Sequence, residues 1–104
     1  MMDKRILGSL GLCSKAGKLI YGVPMIVEAM QKGKKVYLVL EACDTSDNTH
    51  KKITDKCNTY GIEKIKIDAD GGTLGASVGK SSVLAAVAIT DEGFYKMVSK
   101  YFTE

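Results

Sequence analysis

The sequence predicts an α/β fold in which a central sheet carries helices on both faces. Helical and strand-like apolar patterns alternate along the whole chain of 104 residues, and glycines separate them. Two of the strand-like runs, Val36–Leu40 and Val83–Ile89, are continuously apolar, which is typical of strands covered on both faces. A chain of this length can bury about two thirds of its unfolded surface. We therefore expect one domain over residues 1–104, arranged in layers around the sheet.

The N-terminal third predicts two helices with a short strand between them. Apolar residues recur at helical spacing over residues 3–15, and this helix ends near Gly17. A short strand is predicted at residues 19–21. Pro24 suits the first turn of the next helix, because its φ is already helical and a first-turn amide lacks a helical acceptor. This second helix ends at Gly33, and its apolar stripe comprises Val23, Ile26, Val27 and Met30.

After the strand Val36–Leu40, Thr45 or Ser46 can cap a third helix that ends at Gly61. The apolar stripe of this helix is predicted to consist of Ile53, Cys57 and Tyr60. Isoleucines alternate with lysines at positions 64–67, as expected of a half-buried strand.

A short helix is predicted at residues 73–78, before the strand Val83–Ile89. Thr90 caps the last helix, in which Asp91 and Glu92 suit the positive end of the helix dipole. The core stripe of this helix is Phe94, Met97, Val98, Tyr101 and Phe102.

Composition argues against several classes of protein. The longest apolar run is far shorter than the roughly 20 residues of a membrane helix, and the N-terminus lacks the apolar core of a signal peptide. We therefore expect a cytoplasmic protein that does not contact a membrane. The three cysteines show no CxxC spacing, and the chain has one histidine. Neither a disulfide scaffold nor a metal or other cofactor is expected.

Gly79-Lys80-Ser81 resembles the end of a phosphate-binding P-loop, but its spacing is wrong. The pattern GxxxxGK[ST] requires a glycine where this chain has Leu74. A P-loop also leads from a strand into a helix, whereas here a helix precedes the glycine and a strand follows it. We interpret the segment as a helix that ends at glycine and passes into a buried strand.

No catalytic constellation is apparent. His50 is predicted on an exposed helix face, with no nucleophile beside it. Glu41, Asp44 and Asp47 follow the second strand, where they suit the end of that strand and the N-terminus of the next helix. A small-molecule or nucleotide enzyme is therefore the least supported hypothesis.

The distribution of charge favours a polyanionic partner. Residues 1–35 contain seven basic and two acidic residues, within a chain of net charge +3. Lys15, Gly17 and Lys18 flank a helix end, Gly22 opens the next helix, and Lys32 closes it. Solvated lysines at helix ends are the alternative interpretation. Because no aromatic platform for stacking bases is evident, shape recognition of a structured RNA fits better than single-strand binding.

Five segments, in this order, resemble the kink-turn RNA-binding ribosomal proteins, the superfamily that includes ribosomal proteins L7Ae and L30e and the Gadd45 proteins. Together they cover most of the chain, which is most similar to the small bacterial, ribosomal-protein-like members. The segments are Gly17-Lys18-Leu19 with Gly22, Val36–Ala42 with Asp44, Ile53 with Cys57 and Gly61-Ile62, Leu74-Gly75-Ala76 with Gly79-Lys80, and Val87–Asp91.

The resemblance implies a three-layer α/β/α sandwich around a four-stranded mixed sheet. It also implies binding of an RNA stem with tandem sheared G·A pairs. In the family, a Gly-x-Asn-Glu-x-x-Lys motif at the N-terminus of the second helix reads those pairs. The matching stretch here, Gly22–Glu28, keeps the glycine and has Pro24, Met25 and Glu28 at the other three motif positions. Two further contact loops are implied, one with Glu41 and Asp44 and the other with Lys80, Ser81 and Ser82.

We therefore expect a non-enzymatic, monomeric, ribosomal-protein-like protein that binds structured RNA, which could be ribosomal RNA, and not DNA. The alternative is a protein–protein adaptor on the same fold, with Pro24 and Met25 as an apolar contact patch. The expected RNA-binding residues are Lys15, Gly17, Lys18, Gly22, Val23, Pro24, Met25, Lys32, Glu41, Asp44, Lys80, Ser81 and Ser82.

Overall fold

The structure is a computed structural model that describes residues 5–102 as five helices and a four-stranded sheet. Helices and strands alternate throughout, as predicted; the first two residues of the predicted helix 3–15 lie outside the described part. In chain order the elements are α1 Arg5–Lys15, β1 Leu19–Tyr21, α2 Val23–Gln31, β2 Leu38–Glu41, α3 Asp47–Tyr60, β3 Lys64–Lys66, α4 Gly71–Ser77, β4 Ala86–Ile89 and α5 Glu92–Ser99.

The strands lie in the order β1-β4-β2-β3. Strand β4 is antiparallel to both of its neighbours, β1 and β2, whereas β2 and β3 are parallel. Val87 and Ile89 pack with α1, α4 and α5 on one face, and Ala86 and Ala88 pack with α2 and α3 on the other. The predicted three-layer sandwich with a mixed sheet is therefore confirmed.

The observed bounds of β2 and β4 differ from the predicted ones. The last strand begins at Ala86, not at Val83, because backbone hydrogen bonds tie the preceding residues to α4: the Leu84 amide donates to the Gly71 carbonyl oxygen at 3.0 Å. Val83 is 73% exposed. The second strand runs over Leu38–Glu41, so the prediction placed both of its ends too early.

Helix caps correct two further predictions and confirm a third. Asp91, not Thr90, caps α5, because the Thr90 amide donates to the Lys18 carbonyl oxygen and continues the β1–β4 pairing. Asp70 accepts from the Thr73 amide at 2.7 Å, so α4 begins at Gly71 instead of Thr73. Ser46 caps α3 as predicted.

Tyr60 is 42% exposed, although the apolar pattern predicted it in the core stripe of α3. It is the last residue of the helix, directly before Gly61 in the left-handed conformation. The core contribution of α3 therefore ends with Cys57, which is buried.

Strand β2 ends in a fully buried carboxylate, Glu41, which the sequence had placed in an exposed loop. Lys64 Nζ donates to Glu41 Oε1 at 2.6 Å, and His50 Nδ1 lies 2.7 Å from Oε2. The sequence predicted His50 on an exposed helix face; its side chain is 43% exposed and contacts this carboxylate. Burial acts to raise the pKa of Glu41, but the hydrogen bonds and charges of Lys64 and His50 outweigh it and lower the pKa below its usual 4.5. This cluster joins β2, β3 and α3.

Glu41→Gln should lower the free energy of unfolding at neutral pH by about 3 kcal/mol, because Lys64 would keep a buried charge without its counter-ion. The Glu41 pKa is lower in the folded than in the unfolded state. Its stabilisation is therefore complete above the unfolded pKa near 4.5 and is lost as the pH falls through the folded pKa. Urea titrations of both proteins should show the difference shrinking on acidification. Glu63→Gln, at an exposed carboxylate, is the control, and a difference that stays constant in acid would contradict the assignment.

Candidate nucleic-acid interface

One edge of the sheet gathers most of the loops that the sequence singled out. Strand β4 runs opposite to the other three, so its beginning lies beside the ends of β1, β2 and β3. The Gly22 amide donates to the Ala86 carbonyl oxygen at 2.9 Å, and the Ala42 amide donates to the Ala85 carbonyl oxygen at 2.8 Å. We call this the carboxyl edge; it comprises residues 22–25, 42–46 and 79–85.

The N-terminus of α2 opens onto the carboxyl edge without a side-chain cap. Its N-cap, Gly22, has φ 85° and ψ 148°, a conformation that is essentially restricted to glycine. Serine or aspartate side chains cap α3, α4 and α5. Pro24 has no amide hydrogen to offer. Within the described chain, the first-turn amides of Val23 and Met25 are thus left without a side-chain acceptor.

Lys80 lies over an aromatic ring on the strand that leads into this helix. Its Nζ lies 4.4 Å from the centroid of the Tyr21 ring, and Tyr21 directly precedes Gly22. The Ser14 hydroxyl donates to the Val78 carbonyl oxygen at 2.9 Å. The Tyr21 hydroxyl therefore donates to Ser14 Oγ, at 2.6 Å, and its ring is fixed. The sequence had placed Lys80 in the interface but had given Tyr21 no role there; its position immediately before the helix-opening glycine was the available signal.

The loop that carries Lys80, Ser81 and Ser82 packs directly on α4. The Lys80 amide donates to the Gly75 carbonyl oxygen at 2.9 Å. A Cβ atom on Gly75 would overlap the carbonyl oxygen of Ser82, so this approach requires glycine. All three loop side chains are exposed, as an interface requires. The segment runs from helix to loop to strand, in agreement with the rejection of a P-loop.

The acidic residues of this edge have structural roles. Asp44 is exposed, and its Oδ1 accepts from the Gly71 amide at 2.9 Å, at the start of α4. Glu41 is fully buried and is held by Lys64 and His50, so it cannot touch a ligand in this conformation. Val23 is also buried, and only its backbone is available.

The remaining predicted residues lie at the opposite edge, where β1, β2 and β3 begin. Lys15, Gly17 and Lys18 precede the start of β1, and the Lys18 carbonyl oxygen accepts from the Thr90 amide. Lys32 follows the nine-residue α2, about 13 Å from the first turn. We call this the amino edge; it comprises residues 15–18, 32–37 and 60–63. The predicted residues thus divide between the two edges of the sheet, and RNA binding by either group stays a prediction.

Lys32 is also partly neutralised, because its Nζ lies 2.8 Å from Glu28 Oε1. The hydrogen bond from Lys32, followed by its charge, lowers the pKa of Glu28. Glu28, which stands at the position of the family's motif lysine, is thus paired with Lys32 at the end of α2.

Over residues 5–102, no three side chains of the metal-binding types converge on a common point. In the same part of the chain, no helix is long and apolar enough to cross a membrane.

Sequence comparisons agree with the resemblance noted above. A model of the ribosomal protein L7Ae/L30e/S12e/Gadd45 family matches residues 4–99. RNA-binding protein YlxQ of Bacillus subtilis (strain 168) is 39% identical over 85 residues, which is 82% of each chain. RNA-binding protein YlxQ of Enterococcus faecium is 29% identical over 93 residues, covering 89% of this chain and 86% of the relative.

Two solved structures share the fold. A protein of unknown function from Bacillus halodurans superposes with a TM-score of 0.85 at 30% identity, covering 98% of this chain and 100% of that one. The 15.5kD RNA binding protein of Giardia lamblia superposes with a TM-score of 0.75 at 16% identity, covering 95% and 86%.

Gly75→Ala should displace the loop that carries Lys80, because the added methyl group meets backbone and not a flexible side chain. We expect the free energy of unfolding to fall by about 1–3 kcal/mol, as for overpacking in a core. Gly72→Ala is the matched control in the same helix, since its Cβ would make only ordinary contacts. Thermal denaturation gives the stabilities, and amide hydrogen exchange reports on residues 79–84. Equal effects of the two substitutions would contradict the close packing of the loop.

Proposed function

This chain belongs to the ribosomal protein L7Ae/L30e/S12e/Gadd45 family, and we propose that it is a non-enzymatic protein that binds a structured RNA stem at its carboxyl edge. The observation that carries the proposal is the position of Lys80 over the ring of Tyr21, the residue before Gly22 at the uncapped N-terminus of α2. Two relatives named as RNA-binding proteins support RNA as the ligand.

The carboxyl edge suits the phosphates of a folded RNA. Unpaired amides at a helix N-terminus carry partial positive charge and bind anions. Lys80 adds a full positive charge. Gly22 has no side chain, so an RNA backbone can approach the helix end closely.

We propose that this interface reads RNA mainly through shape. Pro24 and Met25 stand where the family has base-reading amide and carboxylate side chains, and neither can donate or accept a side-chain hydrogen bond to guanine. Phosphate contacts position an RNA without reading its bases. The rigid spacing between α2 and the Lys80 loop would instead select a stem bent like a kink-turn, of ribosomal or other cellular RNA.

A protein partner is the alternative, and one observation favours it. Met25 is 55% exposed and Val83 is 73% exposed, and both lie on the carboxyl edge. Methionine adapts well to apolar interfaces. Such an interaction would depend weakly on salt, in contrast to RNA binding.

Lys80→Ala should weaken binding of a labelled kink-turn stem and reduce the slope of log affinity against log salt by about one, the loss of one phosphate contact. Fluorescence anisotropy with blunt stems, at two salt concentrations, measures both. Lys35→Ala is the comparison at the amino edge, where Lys35 Nζ also lies over a tyrosine ring, 5.9 Å from the centroid of Tyr37. Lys52→Ala, at an exposed lysine of α3 outside both edges, is the control.

A straight hairpin of the same length tests whether the bend is recognised. Preference for the kinked stem supports kink-turn recognition, whereas equal affinity leaves only general stem binding. If Lys35→Ala weakens binding and Lys80→Ala does not, the carboxyl edge is the wrong surface. If no RNA binds at low salt, the adaptor hypothesis replaces the proposal.

A further inference from the structure

The amino edge contains a groove that the proposed stem interface does not use. It lies between the turn after α2 and the end of α3, and its volume is about 260 Å³. Lys34, Lys35 and Tyr60 line it together with the apolar residues Met30, Val36 and Ile62.

We propose that this groove binds a single-stranded RNA segment, with one base stacked on Tyr60 and the adjacent phosphates on Lys34 and Lys35. A positively charged groove with an aromatic platform is the usual arrangement for binding single strands. The site is additional to the stem interface and extends the proposed function to a second part of an RNA. The sequence had indicated no such platform, because Tyr60 fell on the predicted core stripe of α3.

The Tyr60 side chain is accessible to a ligand, and the backbone around it is held by a hydrogen bond. Its side chain is 42% exposed, so part of its surface is open to a ligand. The chain reverses directly after it at Gly61, where φ is 67°. The Ile62 amide donates to the Cys57 carbonyl oxygen at 2.8 Å, which secures this reversal. A base that stacks on Tyr60 would therefore meet a platform whose backbone is already ordered.

The two lysines supply positive charge to the groove. Both are exposed, and neither forms an ion pair with any residue in the described range 5–102. The turn that carries them is set by Gly33, with φ 75°, and by the Lys34 amide, which donates to the Ala29 carbonyl oxygen at 2.9 Å. The charge of Lys34 helps to lower the pKa of Glu28, but that carboxylate is already paired with Lys32. Three lysines next to one carboxylate leave this part of the surface positive.

The floor of the groove selects a nucleotide over a free anion. Met30 is 3% exposed, and Val36 and Ile62 are half-buried, so the floor is apolar. An inorganic anion gains nothing from such a floor, whereas a base buries its face against it. The groove of about 260 Å³ falls just below the range of about 300–1,000 Å³ for pockets that enclose a small molecule. It therefore suits one base of a continuing strand.

The test uses a labelled uridine oligomer of about ten nucleotides, within the usual site size of single-strand binders. Tyr60→Ala should weaken its binding about five- to 150-fold, the loss of one base stack, while Tyr60→Phe keeps the ring and the affinity. Lys34→Ala with Lys35→Ala should reduce the salt slope by about 1.4. Lys51→Ala with Lys52→Ala, an adjacent exposed pair on α3 outside the groove, is the matched control.

The outcomes separate this inference from the proposed function. Oligomer binding that depends on Tyr60 and is unchanged by Lys80→Ala supports the groove, even if stem binding fails. If stem binding depends on Lys80 but oligomer affinity is unchanged by substitution of Tyr60, Lys34 and Lys35, the groove proposal is wrong. The proposed function then still holds. No binding of the oligomer also overturns the groove proposal. Thermal denaturation of each variant shows that the fold persists.

Discussion

The direction and register of β4 determine where every proposed contact lies. All four of its residues are buried between two helical layers. Val87 and Ile89 fill the side of α1, α4 and α5, and the smaller Ala86 and Ala88 fill the side of α2 and α3. A slip of one residue would exchange the two faces and place large side chains where only alanine fits. The register is therefore fixed, and with it the positions of Gly22 and Ala42 against the start of β4.

Three carboxylates near the carboxyl edge, Glu41, Asp44 and Asp70, are engaged within the fold and would therefore repel an RNA less than free carboxylates. Glu41 is enclosed by Lys64 and His50, Asp44 binds the Gly71 amide, and Asp70 caps α4. An acidic side chain that accepts hydrogen bonds has part of its charge offset locally. The stability of the loops and the electrostatic suitability of the surface thus depend on the same contacts.

The sequence was sufficient for the elements but not for the assembly of the site. Glycines, capping residues and apolar spacing act locally, so each helix and strand was predictable. The predicted bounds of an element were wrong where a residue distant in sequence sets them. For example, Leu84 is hydrogen-bonded to α4, so β4 begins after it. Lys18 and Gly22 are close in sequence, yet the three residues of β1 lie between them, so they are about 13 Å apart and lie on opposite edges. Conversely, Tyr21 and Lys80 meet only through the fold.

The loss of base-reading side chains at the N-terminus of α2 changes what can provide specificity. A proline in the first helical turn fixes the backbone and removes one donor, so the helix end can offer charge and shape but little sequence readout. In the proposed interface, specificity would then come from the distances between fixed elements. The glycine contact at Gly75 makes one such distance rigid within the carboxyl edge. The length of α2, about 13 Å, sets another between the carboxyl edge and the groove at Tyr60. An RNA with a bent stem and a single-stranded segment at matching separation would fit both distances. Either part alone would bind through only one surface. It would then lack the gain in effective concentration that comes from linking the two parts.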